Sequence, residues 1–371
     1  MNRAGHIWRH FDFILFGTTL LLIVFGVLMI RSATMGAISA DLISRVPDQI
    51  RYAGIGLALM FALAAIDYRL LGGLHTWLYL VMVGLLVLVM LLGVEGDAGA
   101  QRWINLGIRI QPSEIGKILI IITLGNYLSQ HYHEIGDLRV LLGSLLHVAI
   151  PALLVFVQPN LGTTIVFMVI WFTMVWAAGL KIKHIILFMI VIMVAAPVVW
   201  SQMQDYQRAR ILTFIGGSGS ENDEKSTAAR YNIRQALISV GSGGLMGKGY
   251  ANGSQTQLRF LRVRHTDFIF SVISEEFGFV GSVTVMLLIG AVILRILRGA
   301  RTAIDPLGSL ICYGVAAIIF FQTIVSIGVN LQMLPVTGLT LPFISSGGTS
   351  LLSMLAGVGL AESVIMRARR V

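Results

Sequence analysis

The sequence predicts an all-α polytopic membrane protein: one domain over residues 1–371, with about ten transmembrane helices and a large extracytoplasmic loop between the seventh and eighth. Three observations carry that prediction. Apolar runs recur from one end of the chain to the other, and a helix needs about 20 such residues to cross a bilayer. Only 12% of the residues are charged, against roughly 25% in a soluble domain. The mean hydropathy is +0.83.

In chain order the spans fall at 11–31, 48–66, 76–93, 112–130, 141–157, 161–179, 183–200, 267–295, 307–330 and 347–365. The first has an apolar core too long for a cleaved leader, although Ala37 and Ser39 loosely mimic a cleavage site, and it reads as a retained helix. The ninth holds the single cysteine, Cys312, which rules out an internal disulfide and argues against a cysteine metal site.

The net charge of +9 follows from topology rather than from nucleic-acid binding. With both termini cytoplasmic, inner segments carry Arg3, Arg9, Arg69, Arg139, Lys181, Lys183, Arg295, Arg298, Arg301, Arg367, Arg369 and Arg370. Short outer loops carry only Arg31, Arg45, Arg51, Arg102 and Arg109. An excess of Lys and Arg marks the cytoplasmic side, and loops as long as 201–266 are exempt from that rule. The positive charge of that loop therefore needs a separate reason.

Two outer segments, 94–114 and 201–266, are too long for simple connections, and loops beyond about 15 residues are usually functional or disordered. In the second, Tyr231, Arg234, Leu237 and Ile238 recur at helical spacing, which suits a short helix on the membrane surface stopped by GSGG at 241–244. The stretch GSGGLMGKG (241–249) has the look of a phosphate-binding P-loop. The template fails, because Ser242 stands where the first glycine is required and Gly249 follows Lys248. It reads instead as a flexible turn beside lipid headgroups.

Charged groups inside apolar segments are costly and point to function or to pairing. Glu114 and Lys117 open the fourth span three residues apart, so they share a helix face and can pair, as a structural ion pair or with a functional role. Asp267 begins the eighth span in RHTDFIFSVISEEFG, with Glu275 and Glu276 about two turns deeper on different faces. Two readings of Asp267 stand side by side. Thr266 and Asp267 cap the helix, or Asp267 is a reactive carboxylate. The surrounding cations Arg208, Arg210, Lys248, Arg259, Arg262 and Arg264, with Arg102 and Arg109 from the first loop, favour the second. Arginine forks match phosphate oxygens, so the pattern suggests chemistry on a lipid-linked phosphate; a basic loop resting on anionic lipid is the plainer alternative.

These residues also carry a resemblance. GAQRWINLG (99–107), QPSEIGK (111–117), QPNLGTT (158–164), DYQRARI (205–211), ISVGSGGLMGKG (238–249), RHTDFIFSVISEEFG (264–278) and MLPVTGLTLPFISSGGTSLL (333–352) occur in family order across nearly the whole chain. Together they resemble the SEDS family, the shape, elongation, division and sporulation proteins RodA, FtsW and SpoVE. The short N-terminus and GAQRW lean towards RodA, the elongation member. The resemblance implies a peptidoglycan glycosyltransferase of the bacterial cytoplasmic membrane, acting on lipid II and releasing undecaprenyl diphosphate. It also implies a class B penicillin-binding protein as transpeptidase partner. The family's essential aspartate falls on Asp267, beside His265. Its tryptophan falls on Trp103, its PSExxK pair on Glu114 and Lys117, and an arginine opening the second helix on Arg51. Two departures stand out. Asn160 replaces the aspartate of QPDLGT, leaving Glu114 to balance Lys117. Leu261, Arg262 and Val263 replace the usual LPE.

One carboxylate suffices for such a reaction on physical grounds. Glycosidases use two because a sugar alkoxide must be protonated as it leaves, whereas a diphosphate leaves as a stabilised anion and needs cations instead. Asp267 would take the proton of the attacking hydroxyl, while Arg208, Arg210 and their neighbours, Lys248 among them, hold the diphosphate. No cofactor is legible; a divalent cation could share the cations' task, but no ligand cluster is evident. Two rivals remain at this point: a transporter of the lipid-linked sugar, for which Glu114 and Lys117 would line a path, and a non-catalytic scaffold. The absence of an internal repeat counts against the first.

Overall fold

The structure is a computed structural model, describing residues 8–36, 40–95, 101–105, 109–203, 208, 224–261 and 263–368. A helix lies over each expected span: α1 (Phe13–Thr34), α2 (Ala40–Ala65), α4 (His75–Leu92), α5 (Pro112–Gln130), α6 (Leu138–Val157), α7 (Leu161–Ala177), α8 (Ile182–Gln202), α11 (Ile269–Thr302), α12 (Pro306–Asn330) and α13 (Gly348–Met366). Between them lie the short α3 (Tyr68–Gly73), α9 (Glu224–Ser242) and the single turn α10 (Ser254–Gln257). Six of these helices, α1, α4, α6, α11, α12 and α13, are long and apolar enough to cross a membrane by length and composition.

The bundle is built around α13. Of its most apolar window 89% is buried, against 17% for α4, so α13 is the axis and α4 a peripheral helix. The sequence of α13, GTSLLSMLAGVGLAESVIM, explains its place: small residues on every face let neighbouring helices approach closely.

Ionic and capping contacts pin the helix ends on one side. Asp12 caps α1 by accepting from the backbone N–H groups of Ile14 and Leu15, and also holds Arg295 of α11 at 2.5–2.8 Å. The buried Glu362 of α13 accepts the N–H of Asp12 at 3.1 Å. Asp305 caps α12 through Gly308 N–H while accepting from Arg69 at 2.7 Å and Tyr68 at 2.8 Å. The opposite side gathers the N-terminal ends of α2, α5, α7, α11 and α13.

That opposite side holds one element with no helical counterpart, a three-stranded antiparallel sheet. Its strands are β1 (Val94–Glu95), β2 (Gln101–Asn105) and β3 (Arg109–Ile110), with Trp103 opposite Val94 and Ile104 opposite Ile110. The segment 94–114, expected as a loop, is therefore partly ordered strand. It grips the bundle: the Arg109 carbonyl accepts from Tyr52 Oη at 2.9 Å and from Thr349 Oγ1 at 3.1 Å.

Two expectations for 241–295 are corrected. The eighth span is not one continuous helix from Asp267. Helix α11 starts at Ile269 and is broken at Gly278, whose φ of 64° and ψ of −159° lie outside the helical region. Nor is GSGGLMGKG a loose turn, because it seats itself in that break. Phe279 N–H donates to the Gly244 carbonyl at 2.9 Å, and Val280 N–H to Leu245 at 3.1 Å. In return Lys248 N–H donates to the Glu275 carbonyl at 3.0 Å, and Gly249 N–H to Glu276 at 2.9 Å. A buried backbone group left unpaired costs about as much as a lost hydrogen bond, so the turn is held by what the helix break releases.

Glycine is required on both sides of this contact. Gly247 has φ +80°, and a Cβ there would lie 2.2 Å from the Glu276 carbonyl oxygen. Gly247→Ala is expected to destabilise the protein by at least about 1–2 kcal/mol, the usual cost of left-handed backbone for an L-residue. Gly241→Ala, in the last turn of α9 with nothing within 4 Å, is expected to be neutral or stabilising by up to about 1 kcal/mol. Thermal denaturation of the two purified variants in detergent checks the contrast.

Candidate active site

Asp267 lies in the turn 263–268 that precedes α11, partly exposed, on the same side of the bundle as the sheet and the glycine-rich turn. It does not cap the helix. The N-cap position is Phe268, which has no side-chain cap bond. Ser271 N–H is shared between the Phe268 carbonyl at 3.1 Å and, from across the fold, Oδ1 of Asn330, the last residue of α12, at 2.9 Å. Of the two readings of Asp267, the capping one is set aside by this geometry.

The cations expected around Asp267 divide into two groups. Several are committed to the fold. Lys248 donates to Ser242 Oγ at 2.9 Å, Ser254 Oγ at 2.8 Å and Glu275 Oε1 at 2.9 Å. Those bonds use all three ammonium protons, so Lys248 is an internal counter-ion and its expected role on diphosphate is corrected. Arg264 is buried, with Nε on the Ala33 carbonyl and Nη1 on the Leu261 carbonyl at 3.3 Å. Burial, and after it the neighbouring Arg259, pushes its guanidinium below the usual arginine range. Arg102 on β2 donates to the carbonyls of Gln158, at 3.0 Å, and Pro159, fastening the sheet to the turn before α7. Arg208 donates to the carbonyls of Trp200 at 3.1 Å and Ser201 at 2.7 Å, closing the end of α8.

Others stand towards solvent. Arg51, 73% exposed, meets Asp48 at 3.3 Å, and Arg109 is exposed on β3. Trp103 is half-buried on β2 and His265 half-buried beside Asp267. Arg210 and Arg262 lie outside the described residues.

Glu114 and Lys117 form the expected pair, 2.6 Å apart on α5 with Lys117 fully buried. Ser353 of α13 donates to the same Glu114 oxygen at 3.2 Å. Asn160 is spent elsewhere: its Oδ1 caps α7 through Thr163 N–H at 3.3 Å. Glu114 thus balances Lys117, as the departure at Asn160 suggested. Nearby in the chain, Ser113 Oγ and Lys117 Nζ are buried without a well-angled hydrogen bond.

The two deeper glutamates also have structural work. The fully buried Glu275 accepts at Oε1 from Lys248, Ser254 Oγ (3.3 Å) and Gln255 N–H (2.9 Å). Its Oε2 accepts from Thr256 N–H at 3.1 Å and Thr256 Oγ1 at 2.9 Å. It therefore caps α10 from outside and binds the 248–257 segment to α11. Glu276 Oε1 accepts from Ser32 Oγ at the end of α1. Sequence reasoning singled out both residues but missed this clasp, and it missed Asn330 altogether. The signal for the clasp was the Gly, Ser and Thr density of 241–256; an asparagine ending an apolar helix gives no comparable sign.

Comparison with known proteins places the chain in a family. The sequence profile described as cell cycle protein, FtsW/RodA/SpoVE, matches residues 12–370. The chain belongs to this family. It is 35% identical over 351 residues to peptidoglycan glycosyltransferase MrdB of Escherichia coli K12, covering 93% of this chain and 92% of that protein. It is likewise 35% identical over 366 residues to stage V sporulation protein E of Bacillus subtilis, covering 95% and 96%. Among solved structures, a chain from a peptidoglycan synthase complex that coordinates polymerization and crosslinking matches with TM-score 0.80 and 30% identity, over 96% of this chain and 97% of that one. RodA of Thermus thermophilus matches with TM-score 0.70 and 29% identity, over 97% and 98%. This member of the family is accordingly an all-α polytopic membrane protein.

The buried pair yields a sharp expectation. Breaking a buried ion pair by removing one partner typically costs about 3–5 kcal/mol, while neutral replacement of both is far milder. Lys117→Met is therefore expected to lower folded yield and melting temperature more than the double change with Glu114→Gln. Size-exclusion yield and melting temperature of the two variants test this; a double variant no more stable than Lys117→Met excludes the pair as a stabilising unit.

Proposed function

We propose that this protein is a peptidoglycan glycosyltransferase that polymerises lipid II at the outer face of the bacterial cytoplasmic membrane. The observation that carries the reading is the release of Asp267 from helix capping: a partly exposed carboxylate, not needed by its own helix, stands on the side of the bundle where Arg51 and Arg109 face solvent. The likeness to MrdB along nearly the whole chain supports the same activity.

In the proposed reaction a hydroxyl of the acceptor sugar attacks the anomeric carbon of the lipid-linked donor. A C–O bond forms as the bond to the diphosphate breaks, with inversion, and the hydroxyl proton passes to the Asp267 carboxylate. Undecaprenyl diphosphate leaves with the electron pair, its charge met by exposed arginines such as Arg51 and Arg109. Among the described residues no three His, Cys, Asp or Glu side chains are grouped to hold a metal ion, and no step of this scheme runs through one. Both termini are cytoplasmic in this reading, consistent with the charge asymmetry of the loops. A class B penicillin-binding protein, as transpeptidase, would crosslink the strand; the likeness to a chain of a synthase complex supports such a partner.

Asp267→Asn tests the base. Because Asn330 supplies the cap, this variant is expected to keep wild-type expression, melting temperature and lipid II binding, while glycan synthesis by purified protein falls by about 10²–10⁴-fold, the usual worth of a positioned base. Polymerisation at the wild-type rate excludes this mechanism.

Topology is checked separately. A cysteine replacing Leu258, 67% exposed in the loop before Asp267, is introduced after Cys312→Ser. It is expected to react with an impermeant thiol reagent in whole cells. Labelling only after lysis would reverse the orientation.

A further inference from the structure

Asp267 sits in an unusual backbone setting. Its carbonyl and those of the two preceding residues are each held by a group from the segment 330–346. Asn330 Nδ2 donates to the Asp267 carbonyl at 2.8 Å. Ser345 Oγ donates to Thr266 at 2.9 Å, and Ser346 N–H donates to His265 at 2.9 Å. Ser345 is itself oriented, because its oxygen accepts Leu341 N–H at 2.9 Å. The loop presenting both serines includes Phe343, buried, with a φ of 66°. Bulky residues adopt such backbone only where the surroundings over-determine it.

Asn330 is the centre of this arrangement. It is fully buried. Its Nδ2 also donates to Ser326 at 2.7 Å, and its Oδ1 accepts from Ser271 N–H at 2.9 Å and Ser271 Oγ at 2.6 Å. Two amide protons and two lone pairs are thus all engaged. One side chain holds the carbonyl of Asp267 and the third N–H of the helix that follows. The backbone on both sides of the Asp267 Cα is therefore fixed.

We propose that Asn330 is a positioning residue for the reaction, acting through the Asp267 backbone to aim the carboxylate at the acceptor hydroxyl. The proposal rests on the reading of Asp267 as the base. A misplacement of about 1 Å can cost about 10²-fold in rate, which sets the size of the expected effect. Because Asn330 makes no contact with substrate in this scheme, the loss should fall on kcat and leave KM for lipid II nearly unchanged.

The test compares purified wild type, Asn330→Ala, Asn330→Asp, Ser345→Ala and Asp267→Asn in lipid II polymerisation from pH 5.5 to 8.5, with melting temperature measured alongside. Folded Asn330→Ala is expected to lose roughly 10- to 100-fold in kcat, with KM within about threefold of wild type. Asn330→Asp keeps both acceptor bonds but turns an ionised carboxylate towards two carbonyls. Its rate relative to wild type is expected to rise as pH falls, because a protonated carboxyl can donate to the Asp267 carbonyl. A purely structural role would instead give parallel pH profiles. Should Asn330→Ala not fold, Asn330→Asp and the milder Ser345→Ala, with a smaller loss confined to kcat, carry the same comparison. Wild-type kcat in the folded variants, a loss confined to KM, or parallel profiles overturn the proposal while leaving Asp267 as base intact. Activity in Asp267→Asn would overturn the base itself, whatever the Asn330 variants do.

Discussion

At Gly278 the long helix gives up two rungs of its own backbone ladder and exchanges four hydrogen bonds with the glycine-rich turn, donating two and accepting two. Each such bond contributes only about 0.5–1.5 kcal/mol net, but leaving the same buried groups unpaired would cost more. The break and the turn therefore stand or fall together. Most of what lies around Asp267 is referred to this joint. It carries Lys248 to Glu275, and Glu275 holds α10, after which the chain runs into 258–267. Ser32 on Glu276 brings the end of α1 into the same unit. A short helical piece, Ile269 to Phe277, is left as a platform with Asp267 two residues before it.

The charges at this end sort by what surrounds them. Lys248, Arg102, Arg208 and Arg264 meet carbonyl, hydroxyl or carboxylate oxygens of the chain itself, so sequence proximity to Asp267 overstated the positive charge open to a ligand. Arg51 and Arg109 face outward. The acidic residues differ in depth. Glu114, Glu275 and Glu276 are buried within the protein, whereas Asp267 is partly exposed and does not cap the helix that follows it.

Much of this was legible beforehand. Long apolar runs fix spans because a bilayer leaves few alternatives for the backbone, and helices lie over all the expected ones. The Glu114–Lys117 pair followed from helical spacing alone. What escaped depended on contacts distant in sequence. Nothing local announces that Asn330 completes a helix beginning at Ile269, or that Phe279 N–H will find Gly244. The sheet was hidden for a different reason: strands of two and five residues are too short for periodicity to register, though QRWIN carried the composition of a strand.

The likeness of GSGGLMGKG to a phosphate-binding loop has a physical counterpart after all. The first N–H groups of a helix, a lysine and several hydroxyls do converge on an anion here, as they would on a phosphate. The anion is the Glu275 carboxylate, and it belongs to the chain. Tethered in place, it acts at an effective concentration that a free anion in solution would have to exceed by far to displace it. The cradle is filled at the moment of folding. The groups that meet this carboxylate, Lys248 with Ser254, Gln255 and Thr256, therefore serve as an internal rivet between the 248–257 segment and the long helix.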